Sequence, residues 1–250
     1  MKKITALLLS IGMVFTLAAC GGSKVDDKAL DALETSIQKF AELKSTNYNI
    51  AMDVTSEKDS KKENVKMALH GDLILDKKIQ ASMVIDMEAE GQKLDNYLSM
   101  YFKDDVVYMD MMGISQTKSS LKDVMGNTPI PSIGFDADTF KLNKEDMKPY
   151  LEKASVDGDK LTLSFDTKKI MEEAKKGGDA TTKDVTFNKL DMDVTMKDGF
   201  MEKAVITLDM SKGTGDTTEK MNGTITMEFK NINAVTSINY PDFSKFIESK

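Results

Sequence analysis

The chain has no tryptophan and no arginine, and only one cysteine, one histidine and four prolines in 250 residues. A single cysteine cannot build a disulfide framework, and one cysteine with one histidine cannot make a Cys/His zinc site. A Ser–His or Cys–His catalytic pair would have to use His70. Without arginine, all 34 basic side chains are lysine, against 41 acidic ones. That balance argues against nucleic acid as a partner, because such binders carry a basic, arginine-rich face. GxGxxG, P-loop and GxSxG segments are missing. No internal stretch rich in Pro, Gly or Ser divides the chain, so one domain is expected. At 40% hydrophobic residues the chain can bury a core, which excludes global disorder.

What is present begins with a leader. Lys2 and Lys3 precede an apolar run from Ile4 to Ala18, and Leu17-Ala18-Ala19-Cys20 reads as a lipobox ahead of Gly21-Gly22-Ser23. Positive charge, a short apolar core and small residues at the cut make an export signal. The apolar run is shorter than the ~20 residues a spanning helix needs. The layout resembles bacterial lipoprotein signals. It implies removal of residues 1–19, a diacylglyceryl group on Cys20, and anchorage to the membrane at its extracytoplasmic face. Two acyl chains suffice for stable anchoring. Residues 20–25 are then a lipidated tether and 26–250 the folded domain. Loss of Lys2 and Lys3 takes the net charge from −7 to −9.

Leu30, Leu33, Ile37, Phe40 and Leu43 share one helical face, so Asp26–Lys44 is expected to be an amphipathic helix. From Tyr48 the apolar period changes from 3.6 to 2. Tyr48, Ile50, Met52 and Val54 alternate with polar residues. So do Val65, Met67 and Leu69, then Met83, Ile85 and Met87, then Leu98, Met100 and Phe102, then Val107, Met109 and Met111. These predict half-buried antiparallel strands. The centre differs. Ser119 or Ser120 can cap a short helix stopping at Gly126. Residues 127–140 read as irregular, 147–154 as a short helix, 161–165 as a strand, and Thr167–Lys176 as a helix closed by Gly177-Gly178. Alternation returns in Leu190, Met192, Val194 and Met196, turns at Lys197-Asp198-Gly199, and continues through Leu208, Met210, Met221, Ile225 and Met227. The tail from Asn231 to Tyr240 is expected to be extended and to end at Pro241.

About nine such strands, laid flat at ~4.8 Å spacing and ~35 Å length, have an apolar face of roughly 1,500 Å². The helices shield about half of that. So large an exposed apolar area would be a functional surface or an aggregation hazard. The sheet must curl over itself, pack on a partner, or enclose an apolar ligand. Methionine, flexible and polarizable, is concentrated on the inward rows: Met52, Met67, Met83, Met87, Met100, Met109, Met111, Met192, Met210 and Met227 are the candidates to line a deformable cavity. Ordinary core filling explains any single one of them. Ile130, Ile133 and Phe135, apolar in a polar segment punctuated by Pro129 and Pro131, are candidates for a lid.

Catalytic readings are weak. His70 falls in the polar row of its strand. Asp104-Asp105 and Asp157-Gly158-Asp159 occupy turn positions that favour aspartate for backbone reasons, and neither has EF-hand spacing. Lys168-Lys169 and Lys175-Lys176 suit solvated helix faces, with anionic lipid headgroups as a minor alternative. No metal site, cofactor or enzymatic activity is called for.

Lipobox, amphipathic helix, long antiparallel meander, helical centre and second meander together resemble the plan of LolA-like and LppX/LprG-like lipoproteins. The run Tyr101-Phe102-Lys103-Asp104-Asp105-Val106-Val107-Tyr108-Met109-Asp110-Met111-Met112-Gly113 resembles the strand–turn–strand of Gram-positive members of that superfamily. The resemblance covers nearly the whole mature chain. It implies an α+β half-barrel, a strongly curved antiparallel sheet packed on the N-terminal helix and short central helices. Several members hold acyl chains or lipidated molecules between helices and sheet, so a lipid or amphiphile is the implied ligand. The alternative is an interaction or sensory lipoprotein with a filled core and no ligand.

Overall fold

The computed structural model describes residues 24–75, 78–125, 143–176, 184–213 and 218–249. Helix α1 spans Asp27–Ala41. It starts where the Asp26 carboxylate accepts the Lys28 N–H at 2.9 Å, a side-chain cap for an otherwise orphan donor. Its buried stripe is Ala29, Leu30, Leu33, Ser36 and Phe40, a 3.6-residue period.

The first meander follows: β2 Ser45–Lys58, β3 Lys61–Leu75, β4 Ile79–Ala89, β5 Gln92–Lys103, β6 Val106–Met111 and β7 Ser115–Ser120. Helix α2 (Leu121–Met125) comes next, and Ser120 Oγ accepts the Asp123 N–H at its start. After α3 (Lys144–Met147) and a 3-10 turn at Lys148–Tyr150 come β8 Leu151–Asp157, β9 Lys160–Phe165 and α4 Thr167–Lys176. The second meander is β10 Val185–Lys197, β11 Phe200–Lys212 and β12 Glu219–Lys230. Two-residue strands β1 (Lys24–Val25) and β13 (Ile247–Glu248) pair parallel with β8 and β7.

All thirteen form one sheet in the order β1-β8-β9-β10-β11-β12-β2-β3-β4-β5-β6-β7-β13. The two meanders join through β12 and β2, whose antiparallel register runs from Lys220↔Glu57 to Lys230↔Asn47. The sheet is open and strongly curved, an α+β half-barrel with α1 and the short helices against its inner face. The edge strands are two residues long, which limits what another chain's strand could pair with.

Two readings are corrected and one strand is added. Leu151–Ala154 is the start of β8, not the end of a helix. An irregularity between Leu151 and Lys153 buries Leu151 and Ala154 together, which imitates helical i, i+3 spacing. Ser115–Ser120, unassigned by its apolar pattern up to the Ser120 cap, is added as a strand because β6 pairs with it residue by residue. The tail does not end at Pro241. It runs on through a 3-10 turn at Phe243–Lys245 to β13. The added strands raise the count above the nine expected.

The main clusters of the core lie under β8 to β12, and Leu73, Ala81 and Val107 are buried apart from them on β3, β4 and β6. Leu30 and Leu33 of α1 pack with Leu151, Leu161, Leu163, Val194 and Ala204 from β8 to β11. A second cluster joins Met171 of α4 to Val185, Leu208, Met210 and Met221. A third sets Phe40 edge-on to Phe229 at 4.8 Å, beside Leu43. Lys144 and Lys148 tie α3 and the 3-10 turn to α1 through Asp31 (2.6 Å) and Asp27 (2.8 Å).

Candidate functional site

Cross-strand rows of the inner face run from the covered half of the sheet into the other. One row reads Leu163, Met192, Ile206, Ile225, Met52, Met67, Met87, Leu94. Leu163 is fully buried, Met192 to Met87 are half-buried, and Leu94 is exposed. The neighbouring row reads Leu161, Val194, Ala204, Met227, Ile50, Leu69, Ile85, Leu98. Its first three residues are buried and the other five are half-buried. Helix position explains the gradient. α1 packs on β8, β9 and β11, α4 on β10, and α2 on β6 and β7. Among the described residues these are the main helix contacts with the sheet, and none of them falls on β2 to β5.

The ten candidate methionines therefore separate. Met210 is buried in the cluster with Met171 and Met221 and serves as core. Met192 and Met227 are half-buried against the cluster under α1. Met52, Met67, Met83, Met87, Met100 and Met109 are half-buried on the part of the inner face that none of the described core clusters includes. Met111 continues the parity of Val107 and Met109 to the end of β6, where it is exposed. The structure thus gathers six of the ten on one partly exposed surface. The row Phe229, Tyr48, Gly71, Met83, Met100, Met109 crosses β3 at Gly71, where the Tyr48 hydroxyl occupies the place of a side chain. Cys20 and the lid candidates Ile130, Ile133 and Phe135 lie outside the described residues.

The outer face has its own open groove, of about 450 Å³. Ala51, Ala68, Thr224 and Thr226 form its floor, and Asp53, Lys66, Asp86 and Glu88 stand around it. The intervening Met52, Met67 and Met87 contribute strand backbone, their side chains directed inward by alternation. The groove's charges are largely matched already: Lys66 bonds Glu88 at 3.3 Å, and Asn64 donates to Asp53 at 2.7 Å. His70 is half-exposed on this face, with Nδ1 3.6 Å from Asp86 Oδ2. Asp104 and Asp105 both adopt left-handed turn backbone, and Asp105 pairs with Lys78 at 2.7 Å. These positions do the turn and surface work their sequence context predicts.

The alternation did not disclose two features. The C-terminal tail crosses the outer face, where Tyr240, Phe243 and Phe246 pack on Tyr101 and Tyr108. Tyr108 and Phe243 stack at 3.8 Å and 10°. The Tyr240 hydroxyl donates to the Phe102 carbonyl at 2.8 Å, and burial first, then the charges of Asp104 and Asp72, push its pKa up to about 12. The second feature is the β6–β7 turn, which leaves Met111, Met112 and Ile114 exposed. Its signal in the sequence is Met112-Gly113 at a place where other hairpins of the chain carry Asp or Glu.

The chain belongs to DUF6612, a family of unknown function, whose model matches residues 28–245. No curated protein matches the sequence. Among solved structures the chain is similar to LprF from Mycobacterium bovis, at 11% identity over 88% of this chain and 99% of that one, with a TM-score of 0.41. It is similar to a LolA superfamily protein from Nitrosomonas europaea, at 11% identity over 86% of this chain and 94% of that one, with a TM-score of 0.24. The ywiB protein from Bacillus subtilis aligns at 12% identity over 74% and 92% of the two chains, with a TM-score of 0.21.

Proposed function

We propose that this member of DUF6612 is a lipoprotein, anchored through Cys20 at the extracytoplasmic face of the membrane, that holds an acyl chain or similar amphiphile against the inner face of β2 to β6. The observation that carries the reading is the gradient along the inner rows. The same ladders that are buried under α1 at Leu161 and Leu163 emerge as half-buried methionine, isoleucine and leucine on β2 to β5, ending at the exposed Leu94. Contiguous apolar surface left open on a folded domain marks a binding site more often than a packing fault. Six methionines make that surface adaptable, which suits a flexible chain of variable length better than a ligand of fixed shape. The polar requirements are few, because an acyl chain needs area rather than hydrogen bonds. In this reading the protein is a carrier or receptor, and no residue does covalent chemistry.

The test is saturable uptake of a fluorescent fatty-acyl probe by the purified chain, with mass spectrometry of co-purifying lipid alongside. Met67→Gln with Met87→Gln changes two facing residues of one row that lie outside the core clusters. Each should reduce affinity by about 1–2 kcal/mol, so the pair loses at least tenfold. The melting temperature should change little. Absence of uptake by the unmodified chain, together with absence of bound lipid, would favour an interaction lipoprotein with a self-sufficient core.

A further inference from the structure

We propose that the β6–β7 turn, Met111-Met112-Gly113-Ile114, is where this half-barrel dips into the lipid bilayer. The inference deepens the amphiphile-binding reading and rests on it for the choice of a lipid partner. Ile114 is 83% exposed, and Met111 and Met112 are 47% and 44% exposed. Scattered single apolar residues on a surface need no explanation, but three within four positions at one tip do.

Other hairpins among the described residues act as an internal control. Left-handed turn backbone is taken by Asp59-Ser60, Glu90-Gly91, Asp104-Asp105 and Asp198-Gly199, all polar or glycine. Asp and Gly tolerate or favour that backbone, and where Ser60 and Glu90 take it their side chains are polar and solvated. At the β6–β7 turn the same backbone is taken by Met112 (φ 55°) and Gly113 (φ 70°). A long apolar side chain thus stands in water at a position whose backbone disfavours it.

The tip is also built to be rigid and to shed its charge. Asp110 Oδ1 accepts the Gly113 N–H at 2.7 Å, and Oδ2 accepts from Gln116 Nε2 at 2.8 Å. Ile114 N–H closes on the Met111 carbonyl at 2.9 Å. The nearest acidic group is therefore turned into the hairpin, and no charged residue occurs from Met111 to Thr117. Few polar groups would lose water on entering the headgroup region.

Position supplies the remaining argument. Met111 shares the inward parity of Met109, which opposes Met100, which opposes Met83. An apolar track therefore leads from the tip onto the proposed binding surface. Strand polarity places the chain's entry at the same end of the sheet. β1 runs parallel to β8, and successive strands alternate from β8 to β7, so Lys24 enters where β6 leaves. Four residue steps separate Lys24 from Cys20, a reach of at most about 14 Å. A lipidated Cys20 would hold this end of the sheet against the membrane.

The absence of tryptophan makes the test clean. The full chain with Ile114→Trp is incorporated into vesicles of phosphatidylcholine and phosphatidylglycerol. Lys197→Trp, exposed at the β10–β11 turn on the opposite end of the sheet, serves as the control. Emission from the Ile114→Trp chain should shift to the blue and be quenched by lipids brominated on their acyl chains, while the control should emit as in buffer. Met112→Asn in the Ile114→Trp background should cut quenching severalfold without lowering the melting temperature, because Asn suits left-handed backbone. Unquenched, unshifted emission from vesicle-bound Ile114→Trp overturns the proposal, and so does equal quenching of the two single-tryptophan chains. Acyl-probe uptake measured on the same samples separates the two readings. Uptake with an unquenched tip defeats only the docking proposal, and a quenched tip without uptake defeats only the ligand.

Discussion

Gly71 sits where the inner row passes from Tyr48 to Met83, and the space for a side chain there is already taken. A Cβ at this position would lie 1.9 Å from the Ser82 carbonyl oxygen of β4, an atom the ladder cannot move away. The same oxygen accepts the Tyr48 hydroxyl at 2.9 Å, so the ring lies across the missing side chain. Burial, with the Asp72 charge second, pushes the Tyr48 hydroxyl above its ordinary pKa and keeps it a donor. Gly71→Ala should therefore cost about 1–3 kcal/mol or more by overpacking, read as a lowered thermal midpoint. Tyr48→Phe should cost about 1 kcal/mol in the same measurement. At this scale alternation told which face each methionine takes, since period 2 fixes orientation. It could not tell Met210 from Met67. Both point inward, and only the path of α1 and α4 decides that one is core and the other half-open.

Among the elements, α1 and α4 were legible because their apolar spacing is helical and their caps are local. β7 and the start of β8 were not, because pairing partners and a strand irregularity made them. The dock between α1 and α3 joins the apolar packing of Met147 on Leu30 and Leu33 to two ion pairs, and the ion pairs respond to pH in a definite direction. The hydrogen bond from Lys148, then its charge, holds the Asp27 carboxyl below its ordinary 3.8. The same contact raises Lys148 above 10.5, and Asp31 likewise raises Lys144. A lowered carboxyl contributes stability above pH 3.8 that is lost as pH falls through its folded value. A raised ammonium contributes stability below pH 10.5 that is lost as pH rises through its folded value. The dock should be constant between these limits and loosen beyond either. The groups are solvent-exposed, so the effect on global unfolding is small. Hydrogen exchange of residues 144–150 reads it directly. Lys148→Met should leave the alkaline limb to Lys144 alone and largely remove the Asp27 contribution to the acid limb, because the carboxyl then has nearly the same pKa folded and unfolded.

For the whole molecule, the two faces of one sheet do separate jobs. The inner face is divided between core and the proposed binding surface, and the outer face is polar except where the tail covers it. The meanders and the half-barrel could be read from the sequence because each strand carries its own alternation. The tail could not, because its partners are far away in the chain: Tyr240 bonds Phe102, a separation of 138 residues. Its anchor is the stack of Phe243 on Tyr108, with Phe246 buried edge-on beside it. Two residues of β13 then cap the β7 edge. Phe243→Ala removes the centre of this aromatic cluster and should destabilise by up to about 3 kcal/mol, the low end for a Phe truncation because the ring is only half-buried. The first sign should be proteolytic loss of the tail at temperatures where the sheet still holds. Acyl-probe uptake should stay unchanged, because the cluster lies across the sheet from Met67 and Met87. Loss of uptake on freeing the tail would mean that the strap sets the curvature of β5 to β7, and through it the shape of the inner surface.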